Sequence, residues 1–249
     1  MIVSYKHDYI FIKTVKVAGT SVEMALSCYC GPDDVITPVH PRDEIRRAPK
    51  MRRPQNFTLD PVLERDYADA INRRDFKSIW ELFRELEKKS RFFNHMNALQ
   101  IRSLVGEAFW HRAFKFTIDR NPYEVIVSKA LWSIHDRDFN AVPDEAAIGQ
   151  AIDDVIGWSV PNLDKYRIAG EVAVDRILRY ENLRADLASI ADRIGGDIST
   201  HLPGAKRKAR KPEHTAARLL TPEQQQRIAE RHAEAFDLLG YSRTLAPAD

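Results

Sequence analysis

Long apolar runs are missing from this 249-residue sequence: nothing approaches 18 consecutive apolar residues, and the first stretch carries charge at Lys6, His7 and Asp8. Neither a transmembrane span nor a secretory leader is expected, no stable membrane insertion is expected, and the expected location is the cytoplasm. Cysteine is nearly absent. Cys28 and Cys30 form a C-x-C pair, too tight for an ordinary disulfide and without the partners a zinc site needs, so no metal is expected and both read as small, partly buried residues near a helix end. An excess of one charge is also lacking, because 38 Lys and Arg stand against 36 Asp and Glu for a net +2, so any anion binding must be local. With no internal repeat, low-complexity tract or Gly/Ser linker, the default is a single domain over residues 1–249. The 44% hydrophobic content fills a core and excludes a disordered chain.

What is present reads as alternating strands and helices. Tyr9 to Thr14 is β-rich, and the chain then passes through Gly19 into a helical pattern with Val22, Ala25 and Leu26 on one face. Asp33 to Thr37 suits a second short strand. From His40 to Pro61, four prolines and six Lys or Arg with little periodicity read as an irregular, basic surface excursion, part of an irregular and helical insertion over about 40–95. Lys77 to Lys89 sets Ile79, Leu82, Phe83 and Leu86 at helical spacing, with Asp75 or Ser78 as caps. Ala98 to Phe109 reads as a second helix and Phe114 to Asp119 as a strand, followed by a helix opened by Pro122 and running to about Ile134. Ala146 to Trp158 reads as a helix, Asp175 to Tyr180 as a strand, and Asn182 to Ile194 as a helix ended by Gly195 and Gly196. Thr221 and Pro222 open a last helix that closes near Leu239 and Gly240. The pattern predicts an α/β fold, a central parallel sheet with helices on both faces, and ligands at the carboxyl ends of the strands.

Two strand-to-helix crossings carry candidate chemistry. In Lys16-Val17-Ala18-Gly19-Thr20-Ser21 the turn aims backbone N–H groups and a helix dipole at one spot, Lys16 adds a mobile charge, and Thr20 and Ser21 add hydroxyls, a set suited to phosphate or sulfate. An ordinary turn capped by Thr20 or Ser21 fits the same residues. The lysine precedes Gly19, whereas a Walker A loop has it after the second glycine. In the second crossing, Arg120-Asn121-Pro122 is followed by Ser128, and Arg120 at a strand end can chelate an anion with its planar fork. A plain ion pair of Arg120 with Asp119 or Glu124 fits as well.

Together and in this order, the two segments resemble the cofactor motifs of sulfotransferases that use 3′-phosphoadenosine 5′-phosphosulfate (PAPS), especially the carbohydrate-sulfotransferase branch. That branch shows P-K-T-G-G-T-S after one strand and R-N-P or R-D-P with a serine eight residues beyond the arginine after another. Lys16, Gly19, Thr20 and Ser21 match the first motif; Arg120, Asn121, Pro122 and Ser128 match the second. The likeness extends to Phe92-Phe93-Asn94-His95-Met96, to Arg179-Tyr180-Glu181-Asn182-Leu183, and to a last helix ending Phe236-Asp237-Leu238-Leu239-Gly240-Tyr241. Val15, Val17, Ala18 and Val125 depart from the family pattern.

The resemblance implies a P-loop-NTPase-like sulfotransferase fold and transfer of a sulfuryl group from PAPS to an acceptor hydroxyl, with a carbohydrate or glycoconjugate as the expected acceptor. It implies that N–H groups from Ala18 to Ser21 hold the 5′-phosphosulfate, that Lys16 stabilises charge on the leaving oxygens, and that Arg120 and Ser128 grip the 3′-phosphate. His95, or alternatively Glu23, would be the base. The basic run Lys206 to Lys211 lies in a loop, about 200–215, that often closes over the nucleotide in this family, which brings Lys206, Arg207 and Lys208 in as candidate 3′-phosphate contacts. The competing classes are a nucleotide-dependent small-molecule kinase, which the misplaced lysine argues against, and a non-catalytic polyanion or nucleic-acid binder, which needs no Arg120-to-Ser128 spacing; no nucleic-acid partner is expected. Trp158 to Tyr166 is a candidate acceptor wall by position.

Overall fold

A computed structural model describes residues 1–47, 49–137, 142–200, 202 and 214–246. Its strands come from short apolar runs. β1 (Ile2–Ser4) and β2 (Tyr9–Ile12) form an antiparallel hairpin, with Ile2 opposite Phe11 and Ser4 opposite Tyr9. Asp8, at φ 50, helps turn the chain between them. β1 pairs antiparallel with β3 (Val35–Ile36), and β2 pairs parallel with β4 (Phe114–Asp119), Ile12 lying opposite Thr117. β5 (Arg167–Ile168) and β6 (Glu171–Val172) make a separate ribbon, and β7 (Arg176–Arg179) joins β4. Among the described residues the central sheet has order β3-β1-β2-β4-β7. The fold is α/β as expected, but the sheet is mixed rather than parallel. Three residues of β1 are too few to show an alternation, and the short link to β2 returns the chain as a hairpin instead of a crossover. Every residue of β1 and β2 is buried, which explains why YIFI reads as a continuous apolar run.

The helices depart from expectation where a single residue breaks or packs them. α1 (Gly19–Leu26) is buried on every side, so it has no solvent face. The segment from His40 to Pro61 is only partly a surface excursion: Arg46, Lys50 and Arg52 are exposed, but Glu44 and Phe57 are fully buried, and α2 (Pro41–Glu44) opens it. Its basic residue Arg47 is 3% exposed and donates to Glu44 (Nη2–Oε1 3.2 Å) and to the Arg52 carbonyl, so internal acceptors replace the water that basic composition suggests. α3 (Pro61–Arg73) was not anticipated, although Asp60 caps it and Leu63, Tyr67, Ala70 and Ile71 are buried at helical spacing. α4 (Phe76–Lys89) begins on its Asp75 cap as expected.

The single helix expected over 98–109 is two, α5 (Ala98–Val105) and α6 (Glu107–Arg112), because Gly106 takes φ 81 between them. α7 (Pro122–Arg137) and α8 (Glu145–Trp158) follow. Residues 182–194 give α9 (Leu183–Ser189) and α10 (Ala191–Ile194), interrupted at Ile190. After α11 (Ala216–Leu219), the last expected helix is also divided, at His232, into α12 (Pro222–Arg231), with a Thr221–Gln224 capping box, and α13 (Ala233–Leu239). No helix among the described residues is long and apolar enough to cross a membrane.

The chain gathers into two units. The first holds Met1–Thr14, Ala18–Ile118 and Lys165–Ala205; the second holds Val15–Val17, Asp119–Asp164 and Lys206–Asp249. The second unit has its own core, in which Tyr123, Ile126 and Val127 of α7 meet Ile152 and Val155 of α8 and Ile228 and Phe236 from the last two helices. The Tyr123 and Phe236 rings lie 4.8 Å apart between centroids. Burying each such side chain contributes roughly 1.5–3 kcal/mol, which holds α7 in place for the residues described next.

Candidate functional site

Because β2 and β4 are adjacent and parallel, both crossings leave the sheet from neighbouring strand ends. Threonine hydroxyls tie those ends together: Thr117 Oγ1 donates to the Ile12 carbonyl at 2.7 Å, and Thr14 Oγ1 donates to the Ile118 carbonyl. Beyond β2, Lys16 (φ 64) and Ala18 (φ 62) are both left-handed, with Val17 between them outside that region. Left-handed residues alternating with others are the backbone pattern from which anion-binding nests are built. α1 starts at Gly19 with Ala18 as its N-cap and no side-chain cap, so neither Thr20 nor Ser21 plays the capping role that an ordinary turn would give it. Its first-turn N–H groups therefore lack an internal side-chain acceptor. Thr20 and Ser21 are 8% and 5% exposed. Gly19 is dictated by packing, since a Cβ there would lie 2.9 Å from Lys13 Cγ.

Under this turn sits a buried charge cluster. Glu23 is fully buried; its Oε2 accepts from Lys13 Nζ at 2.7 Å, and its Oε1 accepts from the Met1 amino group at 2.7 Å and from Thr37 Oγ1 at 2.8 Å. Burial pushes the carboxyl up, but the Lys13 ammonium and the amino group outweigh it and hold it at about 2. Enclosed and saturated with donors, Glu23 is a weak base at neutral pH. His95, at φ 61, places Nδ1 3.1 Å from the Lys13 carbonyl oxygen. Burial first, then the Lys13 charge, lowers its pKa to about 3, so the ring is neutral at pH 7. A carbonyl only accepts, so Nδ1 carries the hydrogen and Nε2 keeps the lone pair, the tautomer a general base requires.

The second crossing is organised along α7. Asp119 Oδ1 accepts from the Arg120 N–H at 2.8 Å, and Arg120 Nη2 pairs with Glu124 Oε2 at 3.0 Å, the ion pair anticipated as the plain alternative. Glu124 Oε1 also accepts from the Ala216 N–H at 2.9 Å. Glu124, half-buried Ser128 and Trp132 of α7 recur every four residues, which aligns them along one face, and Arg120, two residues before the helix, reaches that face through Glu124. Lys16 Nζ rests 4.7 Å from the centroid of the Trp132 ring. Lys16 therefore meets α7 one turn beyond Ser128. Asn162 completes the arrangement: its Oδ1 accepts from the Val15 N–H, and its Nδ2 donates to the Val15 carbonyl and to Asp119 Oδ1, each at 3.0 Å.

The structure thus rests Lys16 on Trp132, one turn beyond Ser128 on α7, ties Arg120 to Glu124 one turn before Ser128, and separately sets Ala18 to Ser21 above the cluster that holds Glu23 and His95. Lys206, Arg207 and Lys208 lie outside the described residues. Two residues escaped sequence reasoning: Lys13 carried a signal, a lysine closing an apolar strand, and Trp132 was visible as the next member of a four-residue series. Asn162 falls in the stretch expected to line an acceptor pocket, but its amide is bonded to Val15 and Asp119. No group of three or more His, Cys, Asp or Glu suited to a metal occurs among the described residues. Compared with family models, with curated proteins and with solved structures, the chain matches none.

Proposed function

We propose that this chain is a sulfotransferase of the P-loop-like fold that moves the sulfuryl group of PAPS to an acceptor hydroxyl, with carbohydrates or glycoconjugates as the acceptor class. The observation that carries this reading is the contact of Lys16 with Trp132 on the α7 face that also carries Ser128 and Glu124, the ion-pair partner of Arg120. From Glu124 to Trp132 that face rises about 12 Å, the scale of an adenosine charged at both ends.

In the reaction, the acceptor oxygen bonds to sulfur as the sulfur–oxygen bond to the bridging phosphate oxygen breaks, and the electron pair leaves with 3′,5′-ADP. The chain must orient the two reactants, neutralise the leaving oxygens and take one proton. The N–H groups from Ala18 to Ser21 hold the 5′-phosphosulfate, and Lys16 leaves the Trp132 ring to meet charge growing on the bridging oxygen. Arg120 and Ser128 hold the 3′-phosphate, which separates this nucleotide from 5′-AMP. His95 Nε2 takes the acceptor proton. An approaching polyanion raises the affinity of His95 for that proton, offsetting the burial and the Lys13 charge that depress it.

Thermal unfolding tests the reading. At about 100 times its dissociation constant, 3′,5′-ADP adds roughly 2.7 kcal/mol, a rise on the order of 5–10 °C for a chain this size. ATP with magnesium gives much less. A larger shift with ATP would support the kinase reading, and failure of labelled PAPS to transfer its label to any of a panel of hydroxyl acceptors would end the proposal.

A further inference from the structure

Asn162 lies in a short 3-10 turn (Asn162–Lys165) after α8, far in sequence from both motifs, and is 6% exposed. Its amide is fully engaged in one direction. One oxygen takes the Val15 N–H, one N–H goes to the Val15 carbonyl, and the other goes to Asp119 Oδ1. Asp119 in turn accepts the backbone N–H of Arg120. The side chain therefore fixes the peptide just ahead of Lys16 and the carboxylate just ahead of Arg120. No other side chain type of this size offers one acceptor and two donors in that plane.

We propose that Asn162 is a positioning residue, setting the register of Lys16 against Arg120 so that one ligand can engage both cations. The inference rests on the PAPS reading of those two residues. It makes a distinction that a merely structural role does not: losing Asn162 weakens ligands that bridge both cations more than ligands that reach only one. Aspartate at 162 still accepts from Val15 but donates nothing, and its carboxylate faces that of Asp119. Exchanging the pair, as N162D with D119N, restores a donor opposite an acceptor and recovers two of the three contacts.

The test compares dissociation constants of 3′,5′-ADP and 5′-AMP, measured calorimetrically, for wild type, N162A, N162D and N162D/D119N. The affinity ratio of the two nucleotides is expected to fall on the order of tenfold in N162A and N162D and to recover in the exchanged pair. N162S, which keeps one contact to Val15, replaces any single variant that fails to fold. An unchanged ratio in a folded single variant, or a lost ratio that the exchange leaves lost, would overturn the positioning role. If wild type itself does not prefer 3′,5′-ADP, the functional reading fails instead, and the two failures are told apart by that first measurement.

Discussion

Replacing Lys13 by methionine keeps most of the side-chain volume beneath the first crossing and removes the ammonium that faces Glu23 at 2.7 Å. In the intact protein, Glu23 sits at about 2 instead of 4.5, a difference worth about 3 kcal/mol of folding free energy at neutral pH. The carboxyl is lowered on folding, so this stability is fully present above about pH 4.5 and is lost as pH falls through about 2. Without Lys13 the carboxylate stays buried with only the Met1 amino group and Thr37 as donors, and breaking such a pair from one side destabilises by about 2–4 kcal/mol. Urea unfolding followed by circular dichroism should show that loss at pH 7 for K13M. The gap to wild type should narrow between pH 5 and pH 2, because the unpaired carboxyl protonates earlier. In K13M/E23Q the two single losses should overlap by about 1–3 kcal/mol. Strict additivity, together with a K13M deficit that does not change with pH, would refute the charge pairing as the reason these residues sit under the turn.

Gly19→Ala should cost about 1–3 kcal/mol in chemical unfolding, since its methyl would press on a Lys13 stem pinned by Glu23. Ala18→Gly should be neutral or stabilising by about 0.5 kcal/mol, because the left-handed backbone that strains alanine suits glycine; a loss near 1 kcal/mol, as in a helix interior, would contradict that geometry. His95→Asn suits the left-handed backbone and should leave the 3′,5′-ADP melting shift intact while cutting turnover by roughly 10²–10⁴. The same change should flatten the loss of stability as pH falls from 6.5 toward 3, where the unfolded chain binds a proton that buried His95 refuses. Arg120→Ala should abolish the preference for 3′,5′-ADP over 5′-AMP in the melting assay, and a preserved preference would take Arg120 out of the ligand site.

Much of the fold was legible because its signals are local. FKFTID alternates and becomes β4 with the same bounds, and the proline at 122 and the Thr221-Pro222 pair open helices where they should. What was hidden depends on partners distant in sequence or on burial that composition does not show. β1 is three residues long and takes its identity from Phe11, Ile10 and Tyr9 across the hairpin. Arg42 to Arg53 looked solvated because a basic composition does not reveal that Glu44 lies against Arg47 inside the protein. The site divides in the same way. Lys16 and Arg120 announce themselves by motif, whereas Lys13 matters through Glu23 across a strand-to-helix turn, and Asn162 through residues 15 and 119, which no short window along the chain contains. Glu23 entered as the alternative base, and its confinement by three donors becomes evident only in three dimensions.

The interleaving of the two units bears on how the protein can be made and cut. β2 emerges from the ribosome well before its parallel partner β4, so an apolar strand edge waits unpaired while α1 through α6 are synthesised. One unit needs β7, made long after β4, and the other takes up residues 15–17 from near the start. A single proteolytic nick therefore releases neither unit whole, and expression at low temperature or with a chaperone that shields strand edges should raise the soluble yield more than trimming either terminus.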